Sequence, residues 1–182
     1  MRTILFAAHA TSTDNEAGIS SGWSDAPLSP LGEQRARELG ERYKGVPLRA
    51  VYCSELQRSY QTGPLAFGDV SAVSLLCDQR LIECNYGDFT GYPSGEVEAQ
   101  RAQRITTPFP NGESYNECVA RMKNFLVELQ GRHEKGDILI IGHRATQFGL
   151  EYLLNHRPLE VVVNEPFHWQ PEWRYQLPEQ FA

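Results

Sequence analysis

The sequence predicts an α/β fold with a mostly parallel sheet, and three observations lead there. Residues 3–8 and 137–142 are short runs that are apolar without alternation. A strand covered on both faces reads this way, which is the habit of parallel sheets. Between the runs lie segments with apolar residues at helical spacing and recognisable helix starts. Strand and helix thus take turns along the chain, the order expected of an α/β domain.

In chain order, the first run ends abruptly at His9, too soon and without the cleavage pattern of a signal peptide. Ser29-Pro30 then offers an N-cap followed by proline at the first helical position. Leu31, Arg35-Ala36, Leu39 and Tyr43 mark one face of the helix it opens. Ala50-Val51-Tyr52-Cys53 and Val73-Ser74-Leu75-Leu76 are shorter strand candidates. Residues 96–104 are polar and suit a surface helix. Ser114 and Glu117 stand at capping-box spacing, with Val119, Met122, Leu126 and Leu129 following at helical intervals. A last helix is expected just after His143, running to about Asn155, with Pro158 marking its stop. Irregular stretches remain at 12–27, 85–95 and 106–112, and loops of that length in a small domain are usually functional. Ligands of open α/β sheets bind beyond the carboxyl ends of the strands. His9 and His143 both stand at such ends.

The 182 residues fit one domain spanning 1–182, and the balance of 41% hydrophobic to 22% charged residues is that of a soluble globular protein. A net charge of −6 argues against nucleic acid or an anionic membrane as partner, since both are bound by surfaces rich in Lys and Arg. It leaves room for a locally positive pocket and a small anionic substrate. No segment approaches the ~20 apolar residues that span a bilayer, so the cytoplasm is the expected location. Cys53, Cys77, Cys84 and Cys118 form no C-x-x-C pair and read as small, mostly buried thiols.

Glycine-loop nucleotide motifs, zinc-type His/Cys spacings and the G-x-S-x-G elbow are all absent from the sequence. What remains is an ordered set. His9 is followed by Asn15; then come Ser54-Glu55-Leu56-Gln57-Arg58-Ser59-Tyr60-Gln61-Thr62, Leu81-Ile82-Glu83 with Gly87-Asp88-Phe89-Thr90-Gly91, and Gly142-His143. With Gly22-Trp23-Ser24-Asp25-Ala26-Pro27-Leu28-Ser29, Gly32 and Pro110-Asn111-Gly112-Glu113-Ser114, this set resembles the histidine phosphatase superfamily, the phosphoglycerate-mutase-like proteins, from residue 4 to about 154. The resemblance implies a three-layer sandwich with helices on both sides of the sheet. It also implies a metal-independent and cofactor-free phosphatase acting on a small phosphorylated metabolite. His9 would carry the phosphoryl group, an imidazole being available uncharged near neutral pH. Glu83 would serve as general acid and then base. Arg58 and His143 would hold phosphoryl oxygens, with Asn15, Ser21, Gly22 and Arg144 contributing to substrate binding.

The pattern departs from the family at two places. Ala8-His9-Ala10 stands where the family has Arg-His-Gly, so an arginine that touches the phosphate is missing. Arg144 follows the second histidine where the family commonly has a small residue, and the expectation is that its guanidinium fills the space vacated at Ala8. The loss at Ala8 also supports a rival reading, a catalytically silent module that binds phosphate esters. A mutase is a weaker alternative, because Cys84 occupies the position of a substrate-binding arginine and no insertion with paired arginines is evident between Gly95 and Pro110. The ring-rich stretch Phe167-His168-Trp169-Gln170-Pro171-Glu172-Trp173 suits a cover over a sheet edge, ahead of a pocket lid or a homodimer contact.

Overall fold

A computed structural model of the chain describes residues 1–68, 73–132 and 136–181. The first strand, β1 (Arg2–Ala8), leads into a one-turn helix α1 (Thr13–Glu16) and then α2 (Pro30–Arg42). Strand β2 (Leu48–Cys53) is followed by two short helices, α3 (Gln57–Tyr60) and α4 (Thr62–Phe67), and by β3 (Ser74–Cys77). Next come α5 (Ser94–Gln100), α6 (Tyr115–Gly131), β4 (Asp137–Gly142), α7 (Arg144–Leu154), α8 (Leu159–Val162) and β5 (Trp173–Leu177).

The strands form one sheet in the order β3-β2-β4-β1-β5. The first four are mutually parallel, and β5 closes the edge antiparallel to β1. Each central run, apolar throughout in sequence, sends alternate residues to opposite faces, and each face meets helices. Ile4, Phe6, Ala50, Tyr52, Ile138 and Ile140 pack with Met122, Phe125, Leu126 and Leu129 of α6 and Leu150 of α7. Leu5, Ala7, Val51, Cys53, Leu139 and Ile141 pack instead with Leu39 of α2, Tyr43 just beyond it and Phe67 of α4. This is the three-layer sandwich, and the missing alternation in sequence follows from having apolar neighbours on both sides.

The helix signals act as their chemistry dictates. Ser29 Oγ accepts from Gly32 N at 3.1 Å, and Ser114 and Glu117 satisfy each other's backbone N–H in a reciprocal box. In α2 the buried stripe is Gly32, Ala36 and Leu39, continued by Tyr43, whereas Leu31 flanks it and stands exposed. The polar stretch 96–104 is only partly a surface helix. α5 gives way to a 3-10 turn over Arg101–Arg104, and Val97 and Arg101 are buried.

The ring-rich tail divides its work. Trp173 starts β5 and pairs with Phe6, so only the last residue of the stretch lies on the edge of β1. Phe167 and Trp169 lie on the wall of the cavity described next. No helix of the described residues is long and apolar enough to cross a membrane.

Candidate active site

The parallel register that pairs Ala8 with Gly142 continues one step further, where His9 N donates to Gly142 O at 3.0 Å. The two following histidines are thereby forced side by side. Their ring centroids lie 5.0 Å apart at the carboxyl edge of the sheet. A cavity of about 780 Å³ opens there, and its wall includes His9, Asn15, Ser21, Gly22, Arg58, Glu83, His143 and Arg144. All eight residues singled out in the sequence therefore meet in one place.

His9 is oriented by its own backbone. Nδ1 lies 2.7 Å from Ala10 O; a carbonyl only accepts, so Nδ1 carries the proton and Nε2 keeps its lone pair. Burial, with the Arg58 charge beside it, lowers the imidazole pKa to about 3. The ring is thus neutral at physiological pH. His143 is likewise held well below its ordinary value, by burial first and then by the neighbouring His9 and Arg58. Its Nε2 sits 2.6 Å from Ser54 Oγ. Its Nδ1 is buried with no hydrogen-bond partner.

The stretch 54–62 builds the floor beneath both histidines. Ser59 Oγ donates to Ile141 O (2.7 Å) and accepts from Ser54 N (2.9 Å), tying the end of β2 to the end of β4. Thr62 Oγ1 donates to Arg58 O (2.7 Å) and accepts from Ala10 N (3.1 Å), which fixes the peptide after His9. Arg58 is only 2% exposed, far from a solvated arginine. Two of its donors hold the loop carbonyls of Ser24 (2.8 Å) and Gly22 (2.7 Å). Gly22 is needed where it stands: its φ is +51°, and a Cβ there would come within 3.0 Å of the Tyr86 ring.

Glu83 is clamped at the start of α7. Its Oε1 accepts from Cys84 N (2.8 Å) and Ala145 N (3.1 Å), and its Oε2 accepts from Arg144 N (3.1 Å). The Glu83 carbonyl in turn accepts from Trp23 Nε1 (2.7 Å) and Arg121 Nη2 (3.0 Å). A carboxyl fixed from both ends is held ready to act at one point. Asn15 is oriented by its Oδ1, which accepts from Ser12 N (3.0 Å) in the first helical turn, and its side chain lies on the cavity wall.

Arg144 does not do what the sequence suggested. Its hydrogen bonds run to Gln147 Oε1 (2.6 Å) and Glu165 O (2.7 Å), and its carbon lies 4.8 Å and 5.3 Å from the Phe148 and Phe167 ring centres. Among the described residues none of these bonds reaches Ala8 or His9. The guanidinium is committed to the cavity wall beside α7, since the helix's own next turn supplies both a ring and an amide acceptor.

Sequence reasoning missed Ser54 and Thr62 as supports, although both lie inside a quoted motif. It also missed Arg101 and Gln147 on the cavity wall; nothing but tertiary contact distinguishes them. The cysteines behave as expected in part: Cys53, Cys84 and Cys118 are buried and Cys77 is exposed, all as free thiols. Cys84 and Cys118, distant in sequence, come together with Glu113, the donor atoms within 4.8 Å of one another. The Arg121 guanidinium already donates into that group, to Glu113 Oε2 (3.0 Å) and Cys118 Sγ (3.4 Å), a placement that suits thiols and a carboxylate better than a cation.

Comparison with known proteins shows the family. A Hydrogenobacter thermophilus protein provisionally named phosphoserine phosphatase 2 is 30% identical over 172 residues, covering 90% of this chain and 84% of its own length. A 2,3-bisphosphoglycerate-dependent phosphoglycerate mutase of Sinorhizobium fredii is 27% identical, with 89% and 83% covered. Among solved structures, a mycobacterial glucosyl-3-phosphoglycerate phosphatase superposes with a TM-score of 0.76 at 24% identity, over 90% of this chain and 86% of the other. The model of the histidine phosphatase superfamily (branch 1) matches residues 4–162. With its two histidines, buried arginine and clamped glutamate at one sheet edge, this chain belongs to the histidine phosphatase superfamily.

Proposed function

We propose that the protein is a phosphatase that hydrolyses a small phosphomonoester through a phosphohistidine on His9. The observation that carries the reading is the state of His9. It is neutral, its Nδ1–H is tied to Ala10 O, and its Nε2 lone pair is left in a cavity shared with the buried Arg58 and with His143.

In the first step His9 Nε2 attacks phosphorus and the ester P–O bond breaks, with Glu83 giving a proton to the departing alkoxide. In the second step water attacks the phosphohistidine and gives its proton to Glu83. The P–N bond breaks, inorganic phosphate leaves and His9 is neutral again. Arg58 answers the charge on the transferring oxygens. His143, its ring held at Nε2 by Ser54 and 5.0 Å from that of His9, fits as a polar neighbour of another. Every group in the scheme is a side chain of this chain, and no step calls for a metal. Phosphatase names among the relatives support the reaction class.

The test is p-nitrophenyl phosphate hydrolysis in excess EDTA, with wild type beside His9→Ala. Turnover that survives EDTA and disappears in the variant is expected, as is an acid-labile phosphate on His9 after rapid quenching. Transfer of phosphate between two carbon positions of phosphoglycerate, without net hydrolysis, would instead assign a mutase. Failure to turn over any phosphomonoester would assign a binding module.

A further inference from the structure

Two buried thiols take no part in the reaction scheme, yet they sit directly beside it. Cys84 follows Glu83, Cys118 lies near the start of α6, and they are 0% and 3% exposed. Though distant in sequence, their sulfurs and a Glu113 carboxylate oxygen all lie within 4.8 Å of one another. The Cys84 thiol is held above its ordinary value, first by its hydrogen bond with the Cys118 sulfur and then by burial. Cys118 has two further partners. Its thiol donates to Glu113 Oε2 at 3.7 Å, and Arg121 Nη2 donates to its sulfur at 3.4 Å. A carboxylate to take the proton and a guanidinium to face the charge left behind are what a thiol needs to react as a thiolate. The pair otherwise shares a core cluster with Tyr86, Phe109 and Tyr115, and a thiol that only fills space among rings needs neither a base nor a cation.

The same groups reach Glu83. Cys84 N donates to Glu83 Oε1 at 2.8 Å, and the Arg121 nitrogen that faces Cys118 also donates to Glu83 O at 3.0 Å. To bond, the two sulfurs must close from their present separation to covalent distance. In a packed interior such a movement is shared with the neighbours rather than absorbed by one side chain. One peptide and one guanidinium therefore pass it to the clamped carboxyl.

We propose that Cys84 and Cys118 are a redox modification site, oxidised by a small hydroperoxide to an intramolecular disulfide that loosens the clamp on Glu83. Cys118 passes its proton to Glu113, and its thiolate attacks the outer oxygen of the hydroperoxide. The O–O bond breaks, and the departing oxygen takes the proton back from Glu113 to leave as alcohol or water. The Cys84 sulfur then attacks the sulfenic acid on Cys118. The S–O bond breaks, the hydroxyl leaves with the Cys84 proton as water, and the S–S bond forms. Two thiols are oxidised and one hydroperoxide is reduced. The Glu113 side chain, 18% exposed, gives a small oxidant its approach. The modification itself stands on the thiol cluster; its effect on turnover rests on the phosphatase reading of Glu83.

The test treats Cys77→Ser protein, which lacks the exposed thiol, with hydrogen peroxide and maps its disulfides by mass spectrometry without reduction. A peptide pair joined through Cys84 and Cys118 is expected, reversed by dithiothreitol and absent from the same protein carrying Cys118→Ala. Two readouts then follow the clamp. Hydrogen exchange should quicken at the Arg144 and Ala145 amides, which Glu83 covers. Turnover of p-nitrophenyl phosphate should fall about 10-fold or more. Both should recover with dithiothreitol, and neither should respond to peroxide in Cys118→Ala. Two thiols left unoxidised, a disulfide at Cys53 instead, zinc held at these thiols through EDTA, or a Cys84–Cys118 bond with unchanged exchange would each overturn the proposal. The bond with quickened exchange, in a protein that turns over no ester, would keep the site and sink the phosphatase reading. The same pair of results with unchanged turnover would keep the site and remove Glu83 from the reaction.

Discussion

Ser54→Ala tests how the site holds its second histidine. Ser54 is fully buried, His143 is 2% exposed, and a 2.6 Å contact joins Oγ to Nε2. Ser54 Oγ also accepts from Leu56 N at 3.3 Å. Deleting the hydroxyl leaves Nε2 unpaired where water does not reach, and Nδ1 already has no partner. Leaving a buried polar group unsatisfied costs about 1–3 kcal/mol, so the urea midpoint should fall accordingly. The catalytic cost has a separate origin. Without the Ser54 contact the ring is free to turn or to take the other tautomer, and His143 no longer holds its place beside His9. Complete loss of one preorganised polar group costs roughly 10²–10³ in rate; misorienting one that is still present should cost about 10- to 100-fold in kcat, with a smaller change in KM. Steady-state hydrolysis of p-nitrophenyl phosphate, measured well below the melting temperature, reads this directly. A variant with the expected stability loss and wild-type kcat would refute the argument that Ser54 sets the place of His143.

Other outcomes follow from the same contacts. Glu83→Gln should slow the first step, phosphorylation of His9, by about 10²–10⁴ with an alkyl phosphate but far less with p-nitrophenyl phosphate, because nitrophenolate leaves without a proton; equal losses of this step in rapid-quench measurements on the two substrates would remove Glu83 as the acid. His9 binds protons less readily folded, at about 3, than unfolded, near 6.5. Its contribution to stability is therefore complete above pH 6.5 and is lost as pH falls towards 3, with a slope of up to about 1.4 kcal/mol per pH unit. His9→Ala should flatten that part of the urea-stability profile, and an unchanged slope would show the imidazole to be protonated in the folded protein. For the same reason kcat/KM should show no acid limb centred near pH 6.5. Gly32→Ala places a Cβ 1.9 Å from Thr11 O, a backbone atom of the loop that leaves β1; it should cost about 1–3 kcal/mol by chemical denaturation.

Much of this architecture was legible because its causes are local. Ser29-Pro30 and the Ser114/Glu117 pair start helices with groups a few residues apart, and both do so in the structure. The stripe in α2 was less clear: Leu31 looked like part of it, yet packing selected Gly32, because the helix start must approach Thr11 more closely than a side chain allows. Arg58 illustrates the reverse case. Alone it reads as solvated, and only the surrounding motif places it in a pocket, where it is buried.

The sequence by itself determined the strand and helix order, the two histidines at strand ends and the family they imply, since strand period, caps and motif order are written in near neighbours. The tertiary structure alone decided the rest. It clamped Glu83 to the first amides of α7, and turned Arg144 from the space beside Ala8 to Gln147, Phe148 and the Glu165 carbonyl. Those outcomes depend on which distant groups compete for the same donors once water is excluded, and no spacing along the chain records that competition.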